Sequence, residues 1–376
     1  MSTTTSQQLQ KSFLKYQHFF VFAAPILFVG FVLLVAPTPS DTGQGYWLEY
    51  WWLFPFFLLG ATIVNTVGIS GSALFVPFLI FVFPMLAGQT LSPETLVKVG
   101  LISESFGLSS SAIAFIQYGL VDRRLALTIV AGSVPFVIVG ALLSFVIPEP
   151  IFHAALGAAL LTAAYLMFKA DIGHDEPDEE GDEPPAGENP TVANGGTDEQ
   201  LPDDDGKLGP AGVDTTDEGD VTRVDRSGDS YEYSWSGYLE RFGNYSVGGT
   251  FQGLAGFGSG ELGIISQLRT DVPTRVAIGT NHIIVAATAI LASVVHVFGG
   301  TILNVLGIHI PGVHALSLAS TPWNMVVFTV PATVTGGQIA PYVSNALDTT
   351  VIQKGVGVLF TVISVALFLM ASGGGL

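Results

Sequence analysis

The sequence contains no cysteine and little charge for its length. None of its 376 residues is cysteine, and only 12% are Asp, Glu, Lys or Arg. The lack of cysteine excludes a disulfide framework and any catalytic thiolate. The shortage of charge, combined with 49% hydrophobic residues, excludes an ordinary soluble domain. It predicts an integral membrane protein surrounded by the lipid bilayer.

Positive charge is also scarce, and the negative charge is concentrated in one segment. Lys and Arg number 13 against 31 Asp and Glu, which gives a formal net charge of −18. Twenty-one of the 31 acids lie in 171–232, a stretch with few large apolar residues. We therefore predict a disordered acidic loop, either a solvated linker or a regulatory or partner-binding segment. Such acid-rich segments are typical of halophilic archaea, and they argue against a nucleic-acid partner.

Long apolar runs predict an all-α polytopic membrane protein built from two halves. Each half begins with a bent pair of apolar arms and continues with three spans. An extra N-terminal transmembrane helix is predicted at 18–36, and an uncharged loop at 299–318. The first half comprises 50–67 and 73–87 as the bent pair, then 95–118, 125–147 and 151–168. The second comprises 243–268 as the bent pair, then 275–298, 319–343 and 351–370. The predicted domains are an N-terminal segment 1–50, repeat 1 at 51–170, a linker at 171–238 and repeat 2 at 239–376.

The few cations set the predicted orientation. With the N-terminus in the cytoplasm, only Lys98 of the 13 Lys and Arg residues falls toward the outside, as the positive-inside rule requires. The loop with Arg123 and Arg124 is then inside, whereas its counterpart at 299–318 has no Lys or Arg and falls outside. The halves are therefore predicted to be inverted repeats. The protein would lie in the cell membrane with its acidic loop cytoplasmic and its C-terminus outside.

Glycine interrupts the apolar runs at one place in each half. The stretch 247–266 carries seven glycines, and 68–72 is a shorter run of glycine and serine. Glycine in a helix interior costs roughly 1 kcal/mol relative to alanine. Non-helical backbone at membrane depth survives only where protein buries it or where it lines a cavity. Two such segments at corresponding positions favour a transport site between the halves.

The broken segments predict a ligand site lined by free backbone N–H groups, and an anion is the ligand that the family resemblance described below implies. Half-helix N-termini offer backbone N–H donors and partial positive charge, which offset the hydration that an anion loses. Serine hydroxyls and nearby polar side chains would add further ligands. The alternative is that the glycines only let helices pack closely. The predicted substrate-binding residues are Asn65, Gly68, Ser70, Gly71, Ser72, Gln252, Gly256, Gly258, Ser259, Gly260, Thr280 and Asn281.

Three titratable residues within the predicted spans are candidates for coupling. Glu261 directly follows the glycine run, and Glu104 and His282 lie in other spans. Ionisable groups at membrane depth are costly and usually functional. An ionised carboxylate would repel an anion, so Glu261 is predicted to carry a proton rather than to bind the substrate. The alternatives are a structural hydrogen bond made by Glu261 and plain packing of His282.

The order of these pieces resembles the sulfite exporter TauE/SafE family. The family's paired glycine-rich runs are similar to 68–77 and 253–260, and its P-x-x-A-x-G-T-like run is similar to 273–281. The corresponding run in the first half, 93–101, lacks the alanine and the threonine. The likeness covers about 54–369 apart from the acidic loop. The resemblance implies a secondary transporter rather than an enzyme, with sulfite, a sulfonate or a related sulfur oxyanion as its substrate.

Other interpretations stay open at this point. A passive anion channel would have the same composition, and homo-oligomers are compatible with the sequence. The run from Gly68 to Gly71 also matches the G-x-S-G motif of rhomboid-like proteases, where Ser70 and His282 would form a dyad. A protease, however, has no need of an inverted second half. No metal and no cofactor is predicted, since the only candidate cluster fits no zinc spacing; it comprises His296, His309 and His314.

Overall fold

The membrane part of the chain is helical. The computed structural model describes residues 22–38, 45–117, 121–144, 146–169, 213–215, 221–224, 230–233, 235–270, 272, 274–308, 316–346 and 349–373. Helix α1 includes Phe22–Val35. The first half contains α2 (Leu53–Val67), α3 (Ser72–Phe81), α4 (Phe83–Ala87), α5 (Pro93–Gln117), α6 (Arg123–Leu143) and α7 (Glu149–Lys169). The second contains α8 (Trp235–Ala255), α9 (Ser259–Leu268), α10 (Thr274–Val305), α11 (Trp323–Ala346) and α12 (Thr349–Ala371). The predicted all-α membrane fold is confirmed.

Several of these helices have the length and composition of membrane spans. Among the described residues, five helical segments are long and apolar enough to cross a bilayer, and α1 and α3 are shorter apolar helices. Large apolar side chains cover the outer faces; Leu34 is 87% exposed and Leu127 is 71% exposed. Such a surface fits lipid rather than water. The five segments are Tyr46–Val67, Pro93–Ile116, Arg124–Leu143, Val276–Val305 and Lys354–Ala371.

Both predicted breaks are present, and glycine makes each of them. Helix α2 stops at Gly68, whose φ of 77° ends the helix in the left-handed region. Helix α8 stops before Gly256, with φ 87°, and α9 starts after Gly258, with φ 126°. Side chains other than glycine rarely adopt such angles. The glycines therefore turn the chain back at these points, and α3 and α9 are half-length helices of 10 residues each.

The predicted start of the loop at 299 was wrong. Helix α10 has 32 residues and continues to Val305, so the loop predicted at 299–318 is helical in its first part. The backbone N–H of Gly300 donates to the carbonyl of Leu316 at 2.8 Å, and Leu316 packs against Gly299. The glycines here serve close packing instead of ending the helix. Helix α8 begins at Trp235, before the predicted start of repeat 2 at 239.

The acidic loop contains a short sheet that sequence analysis did not predict. Strands β1 (Val213–Thr215), β2 (Val221–Val224) and β3 (Ser230–Tyr233) pair antiparallel in that order. Their β-branched and aromatic residues favour extended backbone even within an acidic segment. The prediction of disorder was wrong for these three strands. The rest of that prediction covers 171–212 and the positions between the strands, which lie outside the described residues.

The helices pair in a reciprocal pattern. Helix α2 packs on α11 and α6 packs on α8, while α5 packs against α10 and α7 against α12. Small residues permit the closest crossings. A Cβ added to Gly253 would lie 2.6 Å from the backbone nitrogen of Ala141, and one on Gly337 would lie 3.1 Å from that of Ser111. For Gly253 the predicted alternative of helix packing therefore describes the observed role.

Candidate functional site

The two breaks meet in the interior of the helical bundle. A Cβ on Gly260 would lie 2.6 Å from the backbone nitrogen of Ser70, so the start of α9 touches the first break. Asn281 on α10 links them as well, because its amide donates to the carbonyls of Gly68 at 2.8 Å and Gly260 at 3.0 Å. The N-termini of α3 and α9 thus converge on one buried region. Helix N-termini of this kind attract negative charge.

The carboxyl group of Glu261 accepts hydrogen bonds from backbone N–H groups of both breaks. Its Oε2 accepts from the N–H of Gly258 at 2.8 Å, which caps its own helix α9. Its Oε1 accepts from the N–H of Ser70 at 3.1 Å, which belongs to the first break. The side chain is only 1% exposed. Glu261 therefore fastens the two halves together at their broken segments.

The carboxyl group of Glu104 plays a matching part at α3. It lies on α5, and its Oε2 accepts from the N–H of Ser72 at 3.0 Å and from the Ser72 hydroxyl. Its Oε1 accepts from the side-chain amide of Gln252 on α8 at 3.1 Å. Ser72 is the first residue of α3. Each half-helix N-terminus is therefore occupied by a carboxyl group of the protein itself.

A continuous hydrogen-bond chain joins the two carboxyl groups. The Ser70 hydroxyl donates to Oε1 of Gln252 at 3.3 Å, while the Ser70 N–H donates to Glu261. The amide of Gln252 donates to Glu104 and also to the carbonyl of Gly256, at 3.1 Å in each case. Because these groups are buried and share partners, a change in the hydrogen bonds of one carboxyl group alters the hydrogen bonds of the other.

The structure brings together most of the predicted substrate-binding residues. Gly68, Ser70, Ser72, Gln252, Gly256, Gly258, Gly260 and Asn281 belong to the hydrogen-bonded centre. The hydroxyl of Ser259 is buried at the start of α9 and has no hydrogen-bond partner within the part of the chain that the structure describes. Gly71 lies in the first break, where an added Cβ would lie 2.7 Å from the ring of Phe75.

Thr280 and Asn65 make other contacts than those predicted. The hydroxyl of Thr280 accepts from the N–H of Asp122 at 2.9 Å and so holds the chain just before α6. The amide of Asn65 donates to the carbonyl of Ala61 in its own helix at 2.7 Å, and no described residue donates to its Oδ1. Neither side chain makes a hydrogen bond to the centre among the described residues. Their contacts come from the packing of helices that the sequence does not reveal.

The predicted coupling residue His282 is isolated from the centre. Both of its ring nitrogens are buried without a hydrogen-bond partner among the described residues. Its ring lies against Phe115, with centroids 4.9 Å apart. Ser70 donates to Gln252 instead, so the serine–histidine pair that a rhomboid-like protease would need is not formed. His296 bonds to the carbonyl of Gly253 at 2.8 Å, and His309 and His314 lie outside the described residues.

Sequence analysis missed Tyr245 and Gln267. The hydroxyl of Tyr245 donates to Oδ1 of Asn281 at 2.6 Å and accepts from the amide of Gln267 at 2.6 Å. Its ring fills the space above Gly263, where there is no room for a Cβ. All these groups are buried. The sequence feature that could have indicated this cluster is Gln267, a polar side chain near the end of the mainly apolar α9.

The Lys98 side chain, predicted to lie toward the outside of the membrane, is buried. Its ammonium donates to the carbonyl of Ser317 at 3.1 Å and to the hydroxyl of Ser320 at 2.6 Å. Lys98 therefore binds the start of α5 to the segment before α11. At the start of α8, the buried Arg241 donates to the hydroxyl of Thr270.

Comparison with known proteins agrees with this architecture. The model of the sulfite exporter TauE/SafE family matches residues 53–367. The chain is 24% identical over 270 residues to the probable membrane transporter protein YunE of Bacillus subtilis (strain 168), which covers 71% of this chain and 82% of that protein. No solved structure matches the chain. Because the family model spans most of the chain, including both breaks and the helices around them, the protein belongs to the sulfite exporter TauE/SafE family of membrane transporters.

Proposed function

We propose that the protein is a secondary transporter of a small anion, with sulfite, a sulfonate or a related sulfur oxyanion as the substrate class. The observation that carries this proposal is the convergence of the α3 and α9 N-termini on one buried centre. Backbone N–H groups of Ser70, Ser72 and Gly258 point to acceptors there. Oriented donors at half-helix ends bind oxyanions without any cationic side chain.

The carboxyl groups at the centre act as internal competitors of the substrate. Glu261 now occupies the donors of Gly258 and Ser70, and Glu104 occupies those of Ser72. An oxyanion and an ionised carboxylate repel each other in a buried site, so both cannot hold the same donors. Substrate binding at the second break therefore requires Glu261 to gain a proton and release Gly258.

This competition couples anion movement to protons. Among the described residues, the Glu261 carboxyl group is connected to Glu104 by hydrogen bonds through Ser70 and Gln252. Tyr245 bonds to Asn281, whose amide donates to the backbone carbonyl of Gly260 and not to the carboxyl group. A proton taken up by Glu261 from one side and released to the other would accompany the anion. His282 has no bond to this network among the described residues, so the proposal assigns coupling to Glu261, with Glu104 in support.

The reciprocal packing of the helices supports two inverted repeats around this centre. If α2–α7 and α8–α12 are equivalent halves, a twofold operation exchanges the α2–α11 pair with the α8–α6 pair. It leaves the α5–α10 and α7–α12 pairs unchanged. All four of these pairs lie in contact. Alternating exposure of a centre held between two such halves is the general mechanism of secondary transporters.

Flux measurements in vesicles test the proposed function. Purified protein is reconstituted into liposomes, and uptake of labelled sulfite, thiosulfate and methanesulfonate is followed with and without an imposed pH gradient. We expect saturable uptake of at least one anion that increases when the gradient drives protons along with it. Uptake that rises linearly with concentration and ignores the gradient would indicate a passive channel. No uptake of any of the three would overturn the proposal.

A further inference from the structure

A cavity of about 270 Å³ leads from the side of the bundle to Glu261. It lies between α7, α8 and α9. Its outer part includes Ala158, Thr162 and Val247, which are exposed on the surface of the helices. Its inner part includes Gly258 and Glu261, which belong to the buried centre. The cavity therefore connects directly with the donors of the second break.

The wall of this cavity is mainly apolar. Its apolar lining residues are Ala158, Ala159, Val247, Phe251, Phe257 and Leu262, and the polar ones away from the centre are Thr162 and Asn244. An inorganic oxyanion gains nothing from aromatic and aliphatic walls, since its whole surface needs polar partners. A ligand that is polar at one end and apolar along its body matches both parts of the cavity.

We propose that this cavity is a specificity pocket for the apolar body of an organic anion, whose acid group takes the place of the Glu261 carboxylate at the N–H of Gly258. The inference rests on the proposed function and narrows its substrate class to organic anions with a short aliphatic body. Pockets for small ligands begin near 300 Å³, so the volume suits a chain of a few carbons rather than a fatty acid.

The pocket predicts a dependence on chain length. Each methylene that leaves water for an apolar wall should strengthen binding roughly fourfold, until the cavity is filled. Competition by linear alkanesulfonates of one to eight carbons is measured against uptake of labelled methanesulfonate in vesicles. We expect affinity to rise over the first few carbons and then to level off or fall. Equal affinity throughout the series would overturn the inference.

Two substitutions with a matched control locate the effect. Ala159→Phe fills the cavity and should abolish the gain in affinity that added carbons give the wild type. Phe251→Ala widens the cavity and should move the optimum to a longer chain. The control is Leu161→Phe, which introduces the same ring on the same helix at a side chain that is 43% exposed and does not line the cavity. It should behave as the wild type.

The outcomes separate the inference from the function on which it rests. If sulfite and methanesulfonate are transported but chain length and the Ala159→Phe change have no effect, the cavity holds lipid or nothing, and only the inference fails. If Ala159→Phe does not fold, the wild-type chain-length series and Phe251→Ala still decide the question. If the wild type transports no anion of either kind, the proposed function fails and the specificity pocket fails with it.

Discussion

At both breaks a carboxyl group caps the N-terminus of a half-helix, but the two carboxyl groups come from different places in the fold. This difference shows how the halves are joined. At the first break, the N-terminus of α3 receives a carboxyl group from another helix, because Glu104 lies on α5. At the second break, α9 is capped by its own residue, Glu261, three positions after Gly258. The first cap therefore depends on the packing of α5 against α3, whereas the second cap is supplied by the half-helix α9 itself.

The two breaks also differ in the number of glycines with a positive φ angle. The first break needs one glycine in the left-handed region, Gly68, while the second needs two, Gly256 and Gly258. Both caps reach the other half, but Glu261 bonds to the backbone of the opposite break at Ser70, whereas Glu104 bonds to the side chain of Gln252. We infer that the first break is the fixed part of the centre and the second is the part that moves during transport. The following predictions test this contrast.

The largest effect is expected from Gly260→Ala. A Cβ there would lie 2.6 Å from the backbone nitrogen of Ser70, so the two breaks would be forced apart. We expect transport to be abolished, together with roughly 1–3 kcal/mol of overpacking strain. The matched control is Gly243→Ala in α8, where a Cβ would meet nothing within 4 Å. Uptake in vesicles and folded yield in detergent are measured for both, and native uptake by Gly260→Ala would show that the breaks need not touch.

The next effect is expected from Glu261→Gln, which keeps the shape of the side chain and cannot exchange a proton. One amide oxygen can still cap Gly258, so α9 should remain folded, although the N–H of Ser70 loses its acceptor at a cost of about 1–3 kcal/mol. We expect the variant to exchange substrate between the two sides but to lose its response to an imposed pH gradient. Counterflow and gradient-driven uptake are measured on the same vesicles. Full retention of the pH response would mean that Glu261 is a structural cap.

A different outcome is expected from Glu104→Gln, the corresponding change at the fixed break. The new amide nitrogen cannot accept a hydrogen bond, so either the Ser72 donors or the Gln252 amide lose their acceptor, at a cost of about 1–3 kcal/mol. We expect a lower melting temperature in detergent and a pH response that is reduced but not lost. If Glu104→Gln removes the pH response entirely and Glu261→Gln does not, the assignment of fixed and moving parts is reversed.

The smallest effect is expected from the acidic loop that joins the halves. Replacing 175–229 by a Gly/Ser linker of similar reach should leave transport almost unchanged at constant salt, because the loop lies between the halves and not at either break. A protease site inserted there tests the orientation, since cleavage should occur only from the cytoplasmic side. Lost transport in a well-expressed variant would make the loop regulatory, and cleavage of intact cells from outside would contradict the predicted orientation.

By itself, the sequence determined the membrane class, most helix positions and the two breaks. These features depend on local chemistry. A long apolar run is stable as a helix in lipid because its backbone groups bond within the segment, and Gly68, Gly256 and Gly258 mark the places where only glycine tolerates the backbone angles. The same reasoning found Glu104 and Glu261, since buried acids are rare in spans. Local chemistry was misleading at Gly299 and Gly300, which pack against Leu316 inside a continuous helix.

Only the tertiary structure decided what each polar residue binds. The partners of the central groups are far apart along the chain: Ser70 and Glu261 by 191 positions, Glu104 and Gln252 by 148, and Asn281 and Gly68 by 213. Such pairings follow from the packing of whole helices, which no local pattern encodes. For that reason the contact between Thr280 and Asp122 and the place of Tyr245 in the centre were not predicted. For the same reason, the carboxyl groups emerged as occupants of the half-helix N-termini only when α5 and α9 were seen in place.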